Sequence, residues 1–181
     1  MKELGKYIEN NSKEIENRMV KSFKEFFVRC RDKRVEYIVL SILRTSLLEG
    51  KGMCLISGYD ENWYLDMNPV EGKFDSGFIF SFFHEYAEII DKERKKYIGK
   101  ITYGDIEKIK RERFMDYAGF LYAIFNNSME SIMELEELEK SNISETVQMR
   151  IGEYMDETEM VEIEQIKLES TSMDYGNIEI L

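Results

Sequence analysis

From Ile106 to Leu138 apolar residues keep helical phase, and no other feature constrains the fold of this chain as tightly. Ile106, Ile109, Phe114, Tyr117, Phe120, Leu121 and Ile124 fall on one helical face, and Ile132, Leu135 and Leu138 continue it. The spacing predicts one helix from about 105 to 139, capped by Asp105, or two helices broken at Asn126-Asn127-Ser128. Asn127 and Glu130 have capping-box spacing, which suits the break.

The first fifty residues also read as helical. Asn11 and Glu14 form a second capping-box pair, followed by Ile15, Met19, Phe23, Phe26, Phe27 and Cys30 at helical spacing. Asp32 is placed to cap a helix carrying Val35, Ile38, Val39, Ile42 and Leu43, the cleanest helical pattern in the chain. Gly50 and Gly52 would end it, because glycine readily takes the positive φ of a helix stop.

Two short strands are then expected, Met53 to Tyr59 and Trp63 to Met67, joined through Gly58–Asn62 as a hairpin. Pro69, Gly72, Asp75 and Gly77 mark a loop. The segment from Phe78 to Ile90 opens like a buried strand, but Ile79, Phe82, Phe83, Tyr86 and Ile90 favour a helix with a solvated basic end at Asp91–Lys96. Beyond Ser141 the pattern weakens. Met160 to Glu169 alternates as a half-buried strand with a slip in register, and the terminal NIEIL could pair as a strand.

The expected fold is therefore α+β and predominantly helical, with four to six helices around one core. A small antiparallel sheet would combine the 53–67 hairpin with C-terminal strands. Residues 1–140 would form the core domain, and 141–181 an acidic segment of strands packed on it.

Charge is unevenly distributed along this frame. Residues 126 to 181 contain fifteen acidic and three basic residues, a net of −12, which leaves residues 1 to 125 at +1. Nucleic acid is a poor partner for such a chain. The cluster Lys21, Lys24, Arg29, Arg31, Lys33 and Arg34 superficially suits a DNA-binding helix junction, but Glu25, Asp32 and Glu36 are interleaved with it. An internal role, facing the acidic third within the fold or across a dimer, fits that cluster better. The longest uncharged stretch, Tyr117 to Met129, is shorter than the roughly 20 apolar residues of a membrane span. Two cysteines, Cys30 and Cys54, are too few for a disulfide framework and point to a reducing, cytoplasmic setting.

Catalytic signatures are sparse. His84, the one histidine, lies in FFHEYAE, where Glu88 stands in place of the second zinc ligand of a protease helix and Ser81 in place of a di-iron glutamate. His84 and Glu88 project away from the apolar stripe as a surface pair. No nucleophile elbow, phosphate-binding glycine loop or calcium loop is present, and no cofactor or metal is implied.

Two functional readings follow. The first is a non-catalytic cytoplasmic interaction module that docks a basic protein, or self-associates, through its acidic C-terminal surface, with Glu134, Glu136, Glu137 and Glu139 as contacts. An immunity or antitoxin-like inhibitor of a basic toxin is one concrete form. The alternative is a small-molecule-binding protein or enzyme with an aromatic-lined pocket near His84, drawing on Glu88, Tyr117, Tyr122 and Trp63.

Overall fold

A computed structural model describes residues 1–48, 51–97, 99–156 and 158–161. Among these the helices are α1 (Lys2–Asn10), α2 (Ser12–Arg29), α3 (Arg44–Leu48), α4 (Gly77–Arg94), α5 (Tyr103–Met133) and α6 (Glu136–Glu139). The strands are β1 (Val35–Ile42), β2 (Met53–Tyr59), β3 (Val70–Asp75), β4 (Ile143–Glu153) and β5 (Thr158–Met160). They form one sheet in the order β3-β2-β1-β4-β5. The sheet is mixed rather than antiparallel throughout, because β1 and β4 run parallel while the other neighbours are antiparallel. No helix among the described residues is long and apolar enough to cross a membrane.

The largest departure from the sequence pattern is β1. Its apolar spacing imitates a helix because both faces of this central strand are covered. Ile38, Leu40 and Ile42 enter the main core, while Val39 and Ser41 on the opposite face are also buried. A strand buried on both sides loses its alternation, and β-branched Val35, Ile38, Val39 and Ile42 suit the extended backbone. The expected strand at Trp63–Met67 is instead a 3-10 turn at Trp63–Leu65, and the partner of β2 is β3, beyond the proline.

Gly72 sits within β3 rather than in a loop for a packing reason. A Cβ there would lie 3.2 Å from Phe26, and one at Gly58 on β2 would lie 2.9 Å from the tip of the same ring. The two glycines leave a notch into which α2 presses Phe26. Around it, Phe23, Phe27, Leu121, Phe125, Met149 and Ile151 complete a core shared by α2, α5 and the sheet. Phe23 and Phe125 stack at 5.5 Å between ring centroids.

α5 remains one helix through Asn126-Asn127-Ser128. Asn127, expected to cap a second helix, lies within α5, and Ser128 turns inward to donate to the Ile124 carbonyl of the same helix at 2.8 Å. The cap at the start is Thr102. Its hydroxyl accepts from the Asp105 backbone N–H at 3.2 Å, and the Asp105 carboxylate accepts from the Thr102 N–H at 2.8 Å. Asn11 precedes α2 but makes no side-chain cap; its amide donates back to the Tyr7 carbonyl at 2.7 Å. The expected alternation at 160–169 falls almost wholly outside the described residues, with Met160 closing β5, and NIEIL lies outside them entirely.

Candidate functional site around Arg150

Even-numbered residues of β4 face away from the helical core, which takes Met149 and Ile151. Arg150 therefore emerges on the sheet's other side. Its Nε donates to the Thr158 hydroxyl at 2.8 Å and its Nη2 to the Thr158 carbonyl at 2.7 Å, so β5 fixes the guanidinium plane. The guanidinium carbon lies 5.6 Å from the centre of the Trp63 ring, within cation–π range.

Trp63 belongs to an aromatic cluster at the end of β1 and β2. Its ring meets Tyr37 edge-on at 4.5 Å and Tyr64 at 4.8 Å, while Tyr64 meets Tyr59 at 5.3 Å. Tyr37 and Tyr59 are direct cross-strand partners, so the sheet register itself assembles this cluster. Burial pushes the Tyr59 and Tyr64 hydroxyls above the ordinary phenol range, leaving both protonated at neutral pH.

The loop that carries Trp63 is pinned from below. Asp66, nearly buried, accepts from Lys33 Nζ, from the Asn68 N–H at 2.9 Å and from the Asp60 N–H at 3.1 Å. Burial alone would raise the Asp66 carboxyl, but Lys33 and the two backbone donors outweigh it and hold the carboxyl below its usual range.

Two concavities flank Arg150. The first, about 330 Å³, is bounded by Tyr37, Trp63, Tyr64 and Gln148; the second, about 530 Å³, by Met115, Tyr122, Glu153 and Glu159. Arg150, Asp156 and Thr158 line both. Arg44 forms an ion pair with Glu153 and reaches Asp156 at 3.8 Å, tying α3 to the β4–β5 turn.

Backbone strain gathers in the same place. Among the described residues only Trp63 and Met155 are non-glycines with positive φ, each at 58°. Such residues cost on the order of 1–3 kcal/mol each and persist where surrounding contacts over-determine them. Trp63 lines the first concavity, and Met155 occupies the turn between Glu153 and Asp156, which line the second.

The residues singled out from sequence scatter over the molecule. Trp63 and Tyr122 reach the two concavities. Tyr117 is buried, with its hydroxyl donating to the Phe82 carbonyl at 3.4 Å. His84 is half-buried on α4 with its ring 6.1 Å from that of Phe83; its Nε2 has no hydrogen-bond partner, and it lines neither concavity. Glu88 pairs with Lys92 at 3.3 Å, one turn onward.

Of the four glutamates, Glu136 pairs with Lys140 at 2.6 Å and Glu137 with Lys24 at 3.1 Å, and these lysines hold both carboxyls below their usual range. Glu134 and Glu139 are exposed. The basic cluster is largely engaged within the fold: Lys24 on Glu137, Lys33 on Asp66, Arg34 on Glu36 and Arg29 on the Glu71 carbonyl.

Sequence reasoning missed Arg150, Tyr37, Tyr64 and Thr158. A signal for Arg150 was present, because Val147, Met149 and Ile151 alternate with Gln148 and Arg150. Among the described residues, no group of three or more histidine, cysteine or carboxylate side chains is arranged to hold a metal ion. Comparison with known proteins gives no match to a family model, a curated protein or a solved structure.

Proposed function

We propose that the protein is a non-catalytic interaction module that docks a basic partner through its acidic C-terminal surface. The observation that carries this reading is the composition of the surface around the β4–β5 turn. Met115, Tyr154, Met155 and Met160 are each between 42% and 56% exposed; Met115 lines one concavity with Glu153, Asp156 and Glu159, and the other three each adjoin one of those carboxylates along the chain. Exposed apolar side chains interspersed with carboxylates match the composition of a protein-binding patch.

Unspent charge extends beyond the turn. Glu130, Glu134, Glu139, Glu145 and Glu159 are exposed and form no ion pair among the described residues. Carboxylates already committed to lysines add little to attraction, so Glu134 and Glu139 contribute more to steering than Glu136 and Glu137. An inhibitor of a basic toxin remains one form of this reading, supported by size and charge alone.

Paired variants divide the surface. In capture experiments from native lysate, Met155→Ala with Glu159→Gln should abolish recovery of a stoichiometric basic partner. Glu134→Gln with Glu139→Gln should slow association and reduce its salt sensitivity while leaving the complex detectable. Recovery unchanged in both would sink the proposal.

The ligand-pocket alternative gains support only where Trp63 and Tyr122 lie, beside Arg150. Around His84 no carboxylate forms a hydrogen bond or ion pair with the imidazole among the described residues, so an acid–base role there lacks a partner.

A further inference from the structure

The concavity on the Trp63 side of Arg150 is not explained by partner docking. We propose that it is a binding site for a small planar monoanion, an aromatic carboxylate being the simplest member of the class.

The sign of the ligand follows from what the aromatic cluster already holds. A box of Tyr37, Trp63 and Tyr64 could by itself suit a cation. Here Arg150 already occupies the face of the indole, at 5.6 Å, so a second cation entering the box would meet like charge. A ligand carboxylate would instead meet a guanidinium whose orientation is set in advance. Thr158 uses Nε and Nη2, and Nη1 has no hydrogen-bond partner among the described residues. Gln148, on the same side of β4, offers a side-chain amide to the same concavity. Arg150 and Gln148 thus line the concavity together with the aromatic rings of Tyr37, Trp63 and Tyr64.

Size and charge narrow the class further. A volume of about 330 Å³ accommodates a single-ring ligand. Aromatic walls favour a planar body, which can stack on them. The Asp156 carboxylate in the lining disfavours a polyanion, and the net charge of −11 on the whole chain acts in the same direction. One charge, matched to one guanidinium, is the best fit.

Trp63 is the chain's only tryptophan, so the indole N–H gives one resonance in a ¹H–¹⁵N spectrum, located at the site. Titration with benzoate should move that resonance saturably, with millimolar affinity. Benzamide, the neutral isostere, should bind at least about tenfold more weakly, since a charge-assisted hydrogen bond is lost. Phenyl phosphate should also bind more weakly than benzoate, because of Asp156. Arg150→Gln should abolish the benzoate response while the rest of the spectrum stays dispersed. Should that variant not fold, the benzoate–benzamide comparison on the unaltered protein decides. Equal binding of the two, no saturable shift, or a benzoate response retained in folded Arg150→Gln would overturn the proposal.

Discussion

At the residue scale, small side chains and buried thiols set the sharpest expectations. Gly58 is a glycine because Phe26 and both methyls of Val35 crowd the place of a Cβ, at 2.9 and 3.2 Å. Gly58→Ala should therefore overpack the notch and lower stability by about 1–3 kcal/mol, read from the midpoint of chemical denaturation. Burial pushes the thiols of Cys30 and Cys54 up to about 12. A raised thiol stays protonated at neutral pH, and the thiolate is the reactive species. Neither cysteine should be alkylated by iodoacetamide in the native protein at pH 8, and both should be once it is unfolded. Rapid modification of native protein would show that these positions open.

At the scale of elements, the Asp66 carboxylate is the main tie between the 60–69 loop and Lys33. Asp66→Asn removes the charge that Lys33 and two backbone N–H groups serve, and should cost about 1–3 kcal/mol at neutral pH. The folded carboxyl lies below its unfolded value, so its contribution is complete above the ordinary carboxyl range, about pH 4, and fades as pH falls through the lower folded value. The stability gap between wild type and Asp66→Asn should accordingly narrow in acid. Trp63 fluorescence during denaturation at several pH values would measure it, and a gap independent of pH would contradict the assignment.

Element by element, legibility in the sequence followed burial. α2 and α5 each bury one stripe, so their period survives in the residues that carry it, from Ile15 to Phe27 and from Ile106 to Ile132, while α4 fully buries only Ile79 and Phe80. β1 has no exposed face to leave a polar alternation, and its pattern passed for a helix. β4 does alternate at Val147–Ile151, but its parallel partner β1 lies far earlier in the chain, with Tyr37 opposite Gln148, and no local turn announces such a pairing. The candidate site was harder still. Trp63 and Tyr122 could be named as aromatics with polar edges, but Arg150 acquires meaning only when the sheet sets it against Trp63 and Thr158.

At the scale of the whole molecule, the parallel pairing of β1 with β4 is what joins a neutral body to an acidic end. It places Glu145, Glu153 and, through the turn, Asp156 and Glu159 on ordered strands or beside them, in the same sheet as the core. Acidic charge on such a frame can be matched in shape as well as in sign, which a solvating tail could not offer. The proposed binding of a basic protein to this surface can be read by capturing the tagged protein from its native lysate, washing at low and high salt, and weighing the complex by native mass spectrometry. A single stoichiometric basic partner, kept at low salt and released at high salt, is the predicted result. A protein that elutes alone at both salt concentrations, or whose partner is indifferent to salt and to Met155→Ala with Glu159→Gln, would rule out docking through this acidic surface.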